Sequence, residues 1–182
     1  MARLVRGLLR TVSVLLNQLY SSCLLIPIAV ADDERIVRAV FSPMNVKNNQ
    51  IKRNFYEPPI PTDELSVMRW EYLGAKASKA RAKKIQNPAK GRTYHGLAAF
   101  RVGKIRVDDI SVVDSRNQFC GHADVHFKIA ALKQRREKNE ALPALDGKRL
   151  KELQDHLIAC SKYYPDPNPA RTNWAGGPLS PP

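Results

Sequence analysis

Twenty-one consecutive residues, Thr11 to Ala31, carry no charge. They follow a stretch charged only by Arg3, Arg6 and Arg10, and they stop at Asp32-Asp33-Glu34. A basic start, an apolar centre and the small-residue end Ala29-Val30-Ala31 match a secretory signal peptide, with cleavage expected after Ala31. Two other readings stay open. A run of this length nearly spans a bilayer, although Ser13, Asn17, Gln18, Ser21 and Ser22 make it polar for an anchor. It can also be an extension ahead of the true start, because compact sequence logic begins at Asp32. Tyr20 stands where a lipobox before Cys23 needs an aliphatic residue. The protein is exported if residues 1–31 are a real leader and cytoplasmic otherwise. The same feature sets how much chain is left to fold. We expect one compact domain over residues 32–163 and an extended tail over 164–182, which holds six of the 13 prolines.

That domain is basic. The chain has 30 Lys and Arg against 17 Asp and Glu, a net charge of +13, and only three of those cations lie in residues 1–31. An apolar content of 43% excludes a fully disordered polymer. The length of 182 residues excludes a TIM barrel and a multi-span transporter. Three cysteines without a CxxC exclude a disulfide-dense scaffold and a four-cysteine zinc module. Cys120 and Cys160 are a conceivable pair in an oxidising compartment.

Periodicity predicts a mixture of strands and helices without strict alternation. Residues 32–42 read as a strand, the asparagine-rich 45–50 as a hairpin turn, and 51–56 as a return strand. Pro58, Pro59 and Pro61 force an extended connection. Asp63 is placed to cap a helix over 64–72, and the Ala- and Lys-rich 75–85 continues as helix. Strands follow at 94–106, 109–113 and 119–129, then a charged helix over 130–141. A final helix capped by Asp146 carries the stripe Leu150, Leu153 and Leu157. The expected class is α+β, a small mixed or antiparallel sheet with flanking helices.

Two segments carry chemistry. Between Arg69 and Arg106 there are 11 Lys or Arg and one acid, Glu71. Such a field draws a polyanion by counterion release. Lys76, Lys79, Arg81, Lys83 and Lys84 are the expected contacts, with Tyr72, Tyr94 and Phe100 available for stacking. The second segment is Cys120 to Phe127, which alternates with period two. On a strand, His122, Asp124 and His126 share one face. Imidazole and carboxylate suit a metal such as zinc, with His122 and His126 as ligands, or an acid–base pair of His122 and Asp124. No phosphate loop or serine elbow accompanies them, and nothing names a cofactor.

Three stretches together resemble a family of small bacterial proteins with no activity attached to it. They are Phe41-Ser42-Pro43 with Val46-Lys47-Asn48, Asp63-Glu64-Leu65-Ser66-Val67 with Arg69, and Gly121-His122-Ala123-Asp124. The resemblance implies that Ser66, Arg69, His122 and Asp124 gather at one site. Three functional expectations follow. The first is an accessory protein that holds a polyanion, nucleic acid foremost, or an acidic protein. The second is a small metal-dependent or acid–base hydrolase or nuclease-like enzyme, with Arg69 as anion clamp. The third is an interaction subunit that docks a protein partner through its C-terminal tail.

Overall fold

The computed structural model describes residues 23–135 and 140–180. The chain runs β1 (Arg35–Pro43), β2 (Val46–Lys47), β3 (Gln50–Ile51), a 3-10 turn (Arg53–Tyr56), β4 (Glu64–Arg69) and α1 (Trp70–Ile85). After a 3-10 turn (Pro88–Lys90) come β5 (Arg92–Arg101), α2 (Val102–Ile105), β6 (Ile110–Asp114), β7 (His122–Phe127), α3 (Ala130–Gln134), α4 (Ala144–Ala159) and β8 (Ser161–Pro165). Six strands form one antiparallel sheet in the order β6-β7-β4-β1-β5-β8, and β2 pairs with β3 apart from it. The α+β class is the one the periodicity predicts.

Strand alternation gives the sheet two apolar faces. Ile36, Val40, Leu65, Val67, Phe100, Ala123 and Val125 meet Leu150, Leu153 and Leu157 of α4 on one of them. Val37, Phe41, Met68, Tyr94, Leu97 and Ala99 meet Ala82 of α1 and Leu179 of the tail on the other. Apolar area leaves water on both sides, so the sheet is a buried middle layer.

Several local expectations change. Residues 64–69 are strand, not the start of a helix. Leu65 and Val67 point into one core while Met68 points into the other, a period of two that outweighs the capping signal of Asp63. The helix begins at Trp70, and Gly74 breaks its regularity at a φ of 63°. Residues 53–56 form a 3-10 turn instead of a strand. The charged helix after β7 ends at Gln134. Helix α4 opens at Ala144, with Asp146 inside its first turn and Pro143 at the cap position.

The domain also starts earlier than residue 32. Arg69, on the central strand β4, is fully buried. Its five N–H groups find five acceptors. Nε and Nη2 fork onto the Glu34 carboxylate at 2.8 and 2.7 Å, and Nη1 reaches Asp114 Oδ2 at 2.7 Å. The remaining two donate to the carbonyls of Pro27 and Ala29. Ile26 and Val30 are buried, and Arg106 binds the carbonyl of Val30. Cys23 is disulfide-bonded to Cys120, with Cα atoms 5.2 Å apart, and Cys160 is the free cysteine. The Cys120–Cys160 pairing expected from the sequence is therefore corrected. Residues 23–31 are part of the folded body, so the boundary at Asp32 moves upstream. The rest of the leader expectation, residues 1–22, lies outside the described residues.

The tail is not a free arm. β8 pairs with β5 from Ser161 to Pro165, and the chain beyond it returns over α1. Lys79, fully buried, bonds Asp166 at 2.7 Å and the carbonyls of Asn168 and Asn173 at 2.8 Å each. Lys83 bonds the carbonyl of Ala170, and Leu179 is buried. These contacts seat the extended tail on its own domain, against α1 and the core beneath it.

Two measurements check this architecture. Lys79→Ala leaves the Asp166 charge buried and unpaired, and should cost about 3–5 kcal/mol in urea unfolding. It should also expose residues 166–180 to limited proteolysis. Under denaturing, non-reducing conditions the protein should titrate as one thiol, rising to three after reduction, the number of cysteines in the sequence.

Candidate functional site

A pocket of about 660 Å³ opens on the α1 face of the sheet, and its origin lies in the strand register. β1 and β4 pair at only two positions, Ile36 with Arg69 and Val37 with Met68. Continuing that ladder would set Arg38 against Val67 and Ala39 against Ser66. All four line the pocket instead. β1 stays with β5 to Pro43 and β4 stays with β7 back to Glu64, so the two halves of the sheet part at this seam. The C-terminal half of α1, the β6–β7 turn and the loop around Met44 close the sides.

The lining is cationic and apolar. Arg38, Arg81, Lys84 and Arg92 contribute positive charge, and none of the described lining residues is an acid. Phe41, Met44, Met68, Ile85 and Phe119 supply apolar surface. Asn45, Gln118, Ser66 and His122 add hydrogen-bonding groups.

Arg38 and Arg92 are the informative pair. Arg38 donates to the carbonyl of Phe55 and stacks 4.7 Å from the centre of that ring. Desolvation pulls its pKa down to about 10, with Arg92 lowering it further and only Tyr56 opposing. Arg92 lies 5.2 Å from the Phe41 ring centre, and its Nε is buried without a hydrogen-bond partner. Two guanidinium groups near enough to repel, neither in a salt bridge among the described residues, are costly to hold together. Arg81 stacks 4.4 Å from the Phe119 ring centre at the pocket wall.

The histidine segment forms another part of this wall. The alternation read from residues 120–127 holds on β7: Ala123, Val125 and Phe127 enter the α4-side core, and His122 faces the pocket. His122 is buried. Its Nδ1 lies 2.6 Å from the Ser115 hydroxyl, and its Nε2 lies 3.8 Å from Asp124 Oδ1. Phe119 meets the ring edge-on at 4.8 Å. Desolvation by burial lowers the His122 pKa, with Asp124 working against it, so the neutral ring is favoured. Asp124 is itself buried, and its Oδ1 has no hydrogen-bond partner. Ser66 pairs across the strands with Asp124.

The residues singled out in the sequence thus separate. Ser66 and His122 line the pocket, and Asp124 sits beside both. Arg69 belongs on the opposite face, where its charge is consumed by Glu34 and Asp114. It does not gather with Ser66 and His122 as the resemblance implies, and its saturated charge does not suit the anion-clamp role of the enzymatic expectation. His122 and His126 cannot share an ion, because four residues of strand separate them by ~13 Å at about 3.3 Å per residue. His126 lies instead near Glu64, its cross-strand partner, at 3.6 Å. Of the five helix cations, Lys79 is buried and Lys83 is tied to the tail. Arg81 and Lys84 line the pocket, and Lys76 is exposed on its own. Sequence reasoning missed Arg38 and Arg92. Their one signal was weak: an arginine inside the apolar run of β1.

No family model, curated protein or solved structure matches the chain.

The neutral His122 sets a pH dependence. A histidine whose folded pKa is lowered binds fewer protons in the native state than in the unfolded one. Stability should therefore be lost as pH falls through the unfolded value of 6.5. His122→Asn should flatten the fall in melting temperature between pH 7.5 and 5.5. Parallel curves for the two proteins would contradict this.

Proposed function

We propose that the protein is a binding protein for a small amphiphilic anion, a molecule with a phosphate- or carboxylate-type head on an apolar body. The observation that carries this reading is the Arg38–Arg92 pair. Arg38 is desolvated, Arg92 carries a buried unpartnered N–H, neither is in a salt bridge among the described residues, and both line a pocket of ordinary ligand size. An anion between them would supply the missing charge and hydrogen bonds, and guanidinium is suited to planar and tetrahedral oxyanions. The apolar walls favour a ligand with carbon to bury. An extended polyanion such as nucleic acid finds weaker support, because the tail occupies two of the five helix cations. A neutral, buried His122 at the wall orients polar groups of the ligand in this reading. The Cys23–Cys120 cross-link supports an oxidising compartment.

The test uses 1-naphthyl phosphate as probe and isothermal titration calorimetry as readout. Binding should be saturable, and 1-naphthol, lacking the phosphate, should bind far more weakly. Arg38→Gln and Arg92→Gln should each weaken the phosphate by roughly tenfold to a hundredfold, as expected for hydrogen bonds to a charged group. Lys76→Gln should leave it unchanged. Equal affinity across all variants would end the pocket reading. A loss with Lys76→Gln as large as with Arg38→Gln would return the case to a diffuse cationic face.

A further inference from the structure

A second cluster lies at the other end of β4 and β7 from the pocket. Asp63 immediately precedes β4, Glu64 begins it, and His126 faces Glu64 from β7. One ligand atom from each of the three lies within 4.8 Å of the other two. The backbone fixes the arrangement, because the carbonyl of Asp63 accepts from the N–H of Phe127 at 2.8 Å and the 64–126 pairing holds the next position. Asp63 is 8% exposed, and its Oδ1 is buried with no hydrogen-bond partner. A buried carboxylate oxygen left unsatisfied is expensive, and the usual remedies are a donor, a water or a cation. Glu64 and His126 are partly exposed, with side chains 38% and 27% accessible, so the cluster is open to solvent on that side. Among the described residues the cation paired with Asp63 is Lys133 Nζ, 3.1 Å from Oδ2, on a side chain 61% exposed that can swing away.

We propose that Asp63, Glu64 and His126 form a binding site for a divalent cation of the zinc class. Two carboxylates and an imidazole are a donor set that zinc accepts in open sites, with a fourth position left for water. The imidazole nitrogen discriminates against magnesium and calcium, which take oxygen ligands. No thiolate takes part, so the soft monovalent ions are not favoured. The ligand atoms must close by a fraction of their present spacing to meet one ion, a movement that the partly exposed Glu64 and His126 side chains permit. Along β7 the site stands four residues from the pocket's His122, and along β4 it stands two residues from the pocket's Ser66, ~7 Å at about 3.3 Å per residue. Neither reading depends on the other.

The experiment is calorimetric titration of the full chain, freed of metal by a chelator, with zinc chloride. One ion per chain is expected, with magnesium chloride giving no comparable signal. Asp63→Asn and His126→Ala should each weaken zinc by roughly tenfold or more, since even outer-shell changes at metal sites cost about 10–100-fold. Lys133→Gln removes a competing cation and should tighten zinc, a gain that misfolding cannot produce. His156→Ala is the control, because His156 Nε2 lies 3.9 Å from the Cys160 sulfur and offers an alternative zinc ligand pair. The proposal is overturned if the wild-type chain takes up no zinc. It is also overturned if Lys133→Gln leaves affinity unchanged, or if uptake is lost with His156→Ala and kept with His126→Ala.

Discussion

The Arg69 guanidinium organises the domain. A charge with no solvent exposure is tolerated only when every donor is met, and each of its five is. The acceptors come from Pro27, Ala29, Glu34 and Asp114, so one side chain on a central strand gathers the N-terminal segment and the end of β6. The Asp114 carboxyl is held below its ordinary range: burial pushes it up, but hydrogen bonds from Arg116 and Arg69 outweigh that. The disulfide from Cys23 to Cys120 closes the same segment covalently, and Arg116 binds the carbonyl of Cys23 beside it. Replacing Arg69 would leave the buried Glu34 carboxylate without its cation and Asp114 with Arg116 alone.

The same accounting explains where the molecule has unspent charge. Arg69 and Lys79 are saturated by internal acceptors, whereas Arg38 and Arg92 are not. Parting β1 from β4 after two paired positions forgoes ladder hydrogen bonds and opens a cavity through the middle of the sheet. Such a departure from regular structure, lined by groups that repel each other, is a feature of sites and not of scaffolds. Stability is supplied elsewhere, by the two apolar faces under α1 and α4.

Much of this organisation was legible in the sequence, and the failures have physical causes. The period-two pattern of residues 120–127 set His122 and Asp124 on one face, and the leucine spacing of 150, 153 and 157 marked the buried stripe of α4. Leu65 and Val67 carried the same kind of signal for β4, but Asp63 resembled a helix cap and competed with it. Lys79 was indistinguishable from Lys76 or Lys83 on a helical wheel. Only Asp166, 87 residues later by number, makes it an interior residue. Arg69 was chosen for its neighbours in the chain, while its partners lie 35 and 45 residues away. Long-range charge pairing leaves no local trace, so a site built from β1, β4, β5 and α1 could not be assembled from spacing.

The Lys79–Asp166 contact has a consequence for how the molecule comes into being. A ribosome delivers α1 long before the residues that neutralise its buried ammonium group, and until they emerge that helix has no stable seat on the sheet. β8, which edges the sheet, also follows α1 by about 75 residues. The fold is therefore committed only once Asp166 has emerged, and a nascent chain stalled before it would be a substrate for chaperones and proteases.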